Sequence, residues 1–303
     1  MNNTFLYFHK ILKRPEENLS FGPDISNAIS EDQFVHLLRS LDGRLVDWEN
    51  LIVAELRGRP KLRNAVALTF DDGYRDFIDV VLPIIEQFGV KVLLFITPQF
   101  ASGNVLPYEY LVADLIRRCP RLKIPEHGFP NIPMSVDNST RYNLIRLAMK
   151  EKYSEERQTT LTRLLEANGL NVGQLSVPEM LNWNDLRELD QHPLIEIGAH
   201  TMSHPVLSKI ATNSAWKEIG ESKRIIEEQL KNRVSCFAYP YGSNSFTNRL
   251  MVRLSGFKYG FATENGKGGA MAIPRSNSVN CSTNLGLNTQ FRNQTTGKIA
   301  SPL

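Results

Sequence analysis

Short runs of β-branched and aromatic residues alternate along this chain with longer runs in which apolar positions recur every three or four residues. The segments TFLYFHKI (4–11) and AVALTF (65–70) carry the strand pattern, while YRDFIDVVLPIIEQFG (74–89) reads as a helix stopped at Gly89, a residue type that commonly closes helices in the left-handed conformation. VKVLLFIT (90–97) follows as a buried strand. Farther on, LIEIGAH (194–200), VSCFAYP (234–240) and FKYGFAT (257–263) read as strands, with NSAWKEIGESKRIIEEQLKN (213–232) and FTNRLMVRLSG (246–256) as helices between them. This alternation predicts an α/β fold whose parallel sheet, joined by right-handed crossovers, closes or nearly closes into a barrel. Residues just beyond such strands share one rim.

The alternation lapses between 101 and 185. Helical runs there, YLVADLIRRC and SEERQTTLTRLLEANG, are separated by the Pro- and Gly-bearing IPEHGFPNIPMS, which predicts a helical insertion at the rim of one domain spanning 1–303. From about 282 to 303 the chain is rich in Asn, Thr and Gly and poor in apolar anchors, the composition of a loose tail. No internal repeat is visible.

With 303 residues, 42% hydrophobic and 22% charged, the chain has the make-up of a soluble globular protein with a sizeable core. Its net charge of +3, without a block of like charges, lacks the electrostatic footprint of a nucleic-acid binder. The three cysteines, Cys119, Cys236 and Cys281, are odd in number and scattered, which predicts free thiols in a reducing compartment. The apolar stretch near the start is interrupted by His9 and Lys10, and VKVLLFIT is far too short to span a bilayer; a cytoplasmic protein with at most peripheral membrane contact is expected.

Two polar clusters interrupt this bland picture. TFDDG places Asp71 and Asp72 side by side at the top of a strand, and HTMSH places His200 and His204 four residues apart after another. Taken alone, each has an ordinary reading: adjacent aspartates before a glycine make turns and helix caps, and paired histidines occur on surfaces and in packing. Pro205 disfavours the α conformation at His204, so a tight loop feeding a helix with Pro205 at its first position is expected. Position 201 is Thr, which excludes the HExxH metalloprotease signature. Because both clusters follow strands of one parallel sheet, they meet at one rim. Two imidazoles and one carboxylate then make a three-ligand site with an open water position, as catalytic zinc requires.

The combination resembles the NodB-type polysaccharide deacetylases, metal-dependent amidases of N-acetylated sugars whose fold is a distorted (β/α) barrel. TFDDG (69–73) is similar to the first motif of that family, HTMSH (200–204) to the second, and FAYPYG (237–242) to the third, which lines the substrate groove. The resemblance spans nearly the whole chain outside the insertion and tail. It implies that Asp71 is the general base, that Asp72, His200 and His204 hold a divalent ion, zinc foremost, and that Pro240 shapes a loop whose Tyr241 N–H meets the oxyanion. It also implies an N-acylated amino sugar as substrate, oligosaccharide, lipid-linked or nucleotide-linked.

One departure concerns the acid. The family draws it from a late Leu-His motif, and no histidine follows His204. His9, in LYFHKI, is then the candidate, because the strand it sits in resembles a "YH" strand of the biofilm poly-N-acetylglucosamine deacetylases, where the motif order is permuted. The alternative is a structural His9 in a metal-binding pseudoenzyme. Arg275, in AIPRSNSV, either hydrogen-bonds Asp71 or pairs elsewhere at the rim. Trp183 either stacks on a sugar face or packs a helix. His36, His127 and His192 receive no role. A sugar deformylase would need the same site, and a non-haem iron oxygenase shares the two-histidine, one-carboxylate set.

Overall fold

In the computed structural model the described residues are 3–14, 20–57, 62, 64–263 and 269–278. Cys281 and the segment 282–303 lie outside them. The strands are β1 (Thr4–Phe8), β2 (Lys10–Leu12), β3 (Ala28–Ser30), β4 (Val66–Phe70), β5 (Val92–Ile96), β6 (Ile195–Ala199), β7 (Cys236–Ala238), β8 (Tyr259–Thr263) and β9 (Ile273–Asn277). Seven of them close into a barrel in the order β1-β4-β5-β6-β7-β8-β9, every pairing parallel, with β9 returning to β1. β4 and β5 are buried along their whole length, the expected state of barrel strands covered on both faces. β2 and β3 form a separate parallel pair.

The helix expected over 74–89 is interrupted at its start. Phe77–Val81 winds as a π-helix before the α-helix Leu82–Phe88. Pro83, with no N–H to give and a ring that crowds the preceding turn, stands where one gives way to the other. Gly89 ends the helix at φ 62°. The expected helix beginning at Pro205 is not there. His204 takes a left-handed φ of 59°, only a short 3₁₀ turn, Leu207–Lys209, follows, and the long helix Thr212–Leu230 starts later.

Between β5 and β6 lie the helices Pro98–Ala101, Tyr108–Arg118, Asn138–Lys150, Ser154–Glu166 and Trp183–Asp190. Leu111, Leu115, Ile145, Leu161 and Leu164 build a hydrophobic cluster there that contains no barrel-strand residue. The barrel interior is filled by Phe5, Ala67, Leu93, Phe95, Cys236 and Phe261. No helix among the described residues is long and apolar enough to cross a membrane.

Candidate active site

Strand register decides what meets at the rim. Phe8 pairs with Phe70, so His9 and Asp71 are the next residues up on neighbouring strands, and the Asp71 N–H donates to the Phe8 carbonyl at 2.9 Å. β5 and β6 pair up to Ile96 and Ala199, which brings Thr97 beside His200: the Thr97 hydroxyl donates to the His200 carbonyl at 3.0 Å. β7 supplies the Ala238 carbonyl, which lies 2.8 Å from His200 Nδ1. Nδ1 therefore carries the proton, and Nε2 is left with its lone pair.

That lone pair faces Asp72. Asp72 Oδ1 is 3.6 Å from His200 Nε2 and 3.3 Å from His204 Nε2, and ligand atoms of all three side chains lie within 4.8 Å of one another. The oxygen is buried and accepts no hydrogen bond. Burial, then the Asp71 charge, push the Asp72 carboxyl well above the usual carboxylate range. Burial likewise lowers His200 to about 4 and, with the His200 charge beside it, drives His204 well below the usual histidine value. Three groups that desolvation drives neutral, with an orphaned oxygen among them, fit a divalent cation, whose charge reverses the electrostatics of such a site. The donor set, two neutral imidazoles and a carboxylate, suits zinc.

Asp71 is set apart by Arg275. The guanidinium donates from Nη1 to Asp71 Oδ1 at 2.7 Å and from Nη2 to Oδ2 at 2.8 Å, and Nη1 also reaches Thr69 Oγ1 at 3.0 Å. Burial, the largest single influence, would raise the Asp71 carboxyl, but the charge and hydrogen bonds of Arg275 together with the neighbouring His200 and His9 outweigh it and hold the group below its ordinary value. The two adjacent aspartates thus occupy opposite electrostatic environments. Arg275 is 1% exposed, and of the two sequence alternatives the structure shows the bond to Asp71.

Asp71, Asp72, His200, His204 and Arg275 line one cavity of about 620 Å³, together with His9, Glu109, Tyr110, Tyr142, Arg146, Lys150 and Tyr241. His9 stands in the bend between β1 and β2, its ring edge-on to Tyr7 at 5.7 Å. Burial lowers its pKa against the pull of Asp71, and Arg275 adds to the lowering. Tyr241 has φ 58°; its ring lies 4.8 Å from that of His204 and its hydroxyl donates to Glu109 Oε1 at 3.0 Å. Pro240 is buried behind it in the 3₁₀ turn Pro240–Gly242. Gly242, at φ 67°, leaves no room for a side chain, since a Cβ there would run into Thr263.

Trp183 is not brought to the site. Its indole packs on the main core and donates from Nε1 to Ser102 Oγ at 2.9 Å, because the helix it opens, Trp183–Asp190, turns its apolar face inward. Other residues matter that sequence reasoning passed over. Glu218, 3% exposed, accepts from the Ser203 N–H at 2.9 Å and the Ser203 hydroxyl at 2.6 Å, clamping the loop between the two histidines. Arg157 donates from Nη1 to the His204 carbonyl at 3.3 Å, tying the helix Ser154–Glu166 to that loop. Glu109, Arg146 and Lys150 reach the cavity from the same stretch of helices. No spacing in the sequence links any of them to the two motifs.

The polysaccharide deacetylase family model matches residues 58–260. Solved structures share the fold: the Streptococcus pyogenes deacetylase PplD in complex with acetate, at TM-score 0.58 and 17% identity over 91% of this chain and 92% of that one, a de-N-acetylase from Aggregatibacter actinomycetemcomitans, at 0.57 and 17% over 90% and 94%, and IcaB from Ammonifex degensii, at 0.56 and 16% over 95% and 98%. Among curated proteins none matches. A family match across the residues that build β4 to β7 and both motifs settles the kinship of this barrel: the chain belongs to the polysaccharide deacetylase family.

Proposed function

We propose that the chain hydrolyses the N-acetyl amide of an amino sugar with the help of a divalent ion, zinc foremost, held by Asp72, His200 and His204. The observation that carries this reading is the Asp72 oxygen, buried and unpartnered, facing two imidazole nitrogens. A divalent cation among these three groups would satisfy the oxygen and both imidazole lone pairs at once and would return Asp72 to its ionised form. The activities named for two similar structures, a deacetylase holding acetate and a de-N-acetylase, agree with it.

When bound, the ion would polarise the amide carbonyl and acidify a water molecule for attack. Asp71, kept ionised by Arg275, is the group that accepts the proton of that water. His9 gives a proton to the leaving nitrogen from the neighbouring strand end. The backbone N–H of Tyr241, held in its turn by Pro240 and Gly242, stabilises the developing oxyanion. Free Cys119 and buried Cys236 support a cytoplasmic setting, which cell fractionation tests: recovery of the protein outside the cytoplasm would remove that part of the proposal.

The reaction itself is tested with N-acetylated mono- and oligosaccharides, scored for acetate and formate. Acetate release that stops on chelation, returns with zinc and is absent in His204→Ala is the expected result. Formate as the product would make the protein a deformylase, and full activity after complete metal removal would sink the metal assignment.

A further inference from the structure

The helices between β5 and β6 give the cavity a wall whose chemistry amide hydrolysis leaves unused. On the helix Asn138–Lys150, Ser139, Tyr142, Asn143, Arg146 and Lys150 all line the cavity. Their spacing of three or four residues is that of one helix face. Every one of these side chains offers a hydrogen-bond donor, two are cations and none is an acid. Such a face is ordinary where it meets bulk water. Here it meets the cavity that holds the catalytic groups.

Nothing among the described residues uses up that donor capacity. Neither Arg146 nor Lys150 has a side-chain ion pair among them; the Lys150 ammonium lies instead over the Tyr241 ring, 4.2 Å from its centroid. The Tyr142 hydroxyl is buried and makes no hydrogen bond. The acids of the cavity have hydrogen-bond or charge partners of their own: Asp71 in Arg275, Asp72 in the two imidazoles, and Glu109 in the Tyr241 hydroxyl, although Glu109 also exerts a pull on Lys150. One turn apart on this face, the two cations repel: after burial, the Arg146 charge lowers the Lys150 pKa, against smaller pulls from Glu109 and Glu151. An anion between them would relieve that repulsion.

We propose that this face is an anion-binding subsite that reads a phosphate or diphosphate carried by the amino-sugar substrate, and that the substrate is therefore a carrier-linked sugar rather than a neutral glycan. Two cations and three neutral donors exceed what one carboxylate can satisfy and match the larger oxygen count of a diphosphate. Its carrier is a nucleoside or a lipid. The inference rests on the deacetylase reading for the identity of the sugar, but its test needs no turnover.

That test is calorimetric titration of the zinc-loaded full chain carrying Asp71→Asn, which slows consumption of the ligand. Three ligands are compared: neutral N,N′-diacetylchitobiose, and N-acetylglucosamine joined through a diphosphate to uridine or to a short prenyl chain. The diphosphate forms are expected to bind about tenfold or more tightly than the neutral sugar, and Arg146→Gln or Lys150→Gln should each remove most of that advantage. The tighter of the two diphosphates identifies the carrier. Neutral sugar binding as tightly as both would overturn the subsite. So would an advantage that survives both substitutions, because the anion would then sit on the zinc. Zinc content and circular dichroism verify that the variants are folded, and Lys150→Met provides a second judgement at the same position. Should the unsubstituted protein release no acetate from any sugar while the anion advantage and its loss are both seen, the deacetylase reading fails and the subsite stands.

Discussion

Asp71 owes its charge to Arg275, since burial alone would raise its pKa. Arg275→Met leaves a buried carboxylate without a partner, so the acidic limb of the kcat/KM profile is expected to move up by about one unit or more. The folded pKa of Asp71 lies below its unfolded value, so the pair's stabilisation is present in full above the ordinary carboxylate range and lost as pH falls through the folded value. Unfolding free energies of the two proteins from urea titration should therefore differ most near pH 7, by about 3–5 kcal/mol, and converge in acid. An acidic limb that does not move would show that Asp71 is not the base. Asp71→Asn is expected to keep zinc and slow turnover on the order of 10²–10⁴-fold, whereas Asp72→Ala, His200→Ala and His204→Ala lose the ion. Zinc analysis of the purified variants separates the two classes. For His9 burial acts in the opposite direction to its action on Asp71. Burial, aided by Arg275 and opposed by Asp71, lowers its pKa, so a proton-donating His9 places the alkaline limb of kcat/KM below about 6.5. His9→Ala should keep zinc and lose that limb, and a limb that persists in the variant would assign the proton elsewhere.

At the level of elements, the site is held by loops in uncommon backbone states. Asp72, Thr201, His204 and Tyr241 have φ of 75°, 64°, 59° and 58°, a region that a β-branched residue such as Thr201 rarely enters and that persists only where surroundings over-determine it. Thr201 is fixed by its hydroxyl, which accepts from the His204 N–H at 3.0 Å and donates to the His200 carbonyl. Glu218 holds Ser203 from the helix Thr212–Leu230. Glu218→Ala is therefore expected to weaken zinc binding about 10–100-fold with the barrel intact, measured by competition with a chromophoric chelator; unchanged affinity would make Glu218 a packing residue only. Much of this was legible in advance. TFDDG and HTMSH announced themselves because strand ends put short polar clusters on one rim, and the strands of β4 to β8 read clearly because burial on both faces makes them apolar. β9 did not, since IPRSN contains a proline, an arginine and two small polar residues, yet it is the strand that closes the barrel and carries Arg275. Helix Asn138–Lys150 was missed because its inward cavity face is itself polar, which erases the amphipathic contrast. Trp183 left two readings open for a related reason: an aromatic beside a rim is the same residue type whether it meets a sugar or a core.

For the whole molecule, the division of labour follows the division of cores. The proposed zinc ligands, base and acid come from the ends of barrel strands and the loop that follows β6, while the proposed anion subsite comes from helices packed about a hydrophobic cluster of their own. Arg157 is one link between the two, bonded to the Met149 and Lys152 carbonyls on its own side at 3.1 and 3.0 Å and to His204 on the other. If the cores are energetically separate, loosening one should leave the other's function in place. Leu164, fully buried in the helical cluster, offers the means, because Leu164→Ala should cost about 2–5 kcal/mol through lost burial and a cavity. Hydrogen exchange on the zinc-loaded variant is expected to speed up in Tyr108–Arg118, Asn138–Lys150 and Ser154–Glu166 while β4, β5 and β6 stay protected and zinc stays bound. Affinity for a carrier-linked sugar should then fall further than affinity for zinc. Equal acceleration in the barrel strands, or release of zinc in step with the helices, would mean that the helices between β5 and β6 are part of the barrel's own folding unit, and that His204 depends on Arg157 for its place.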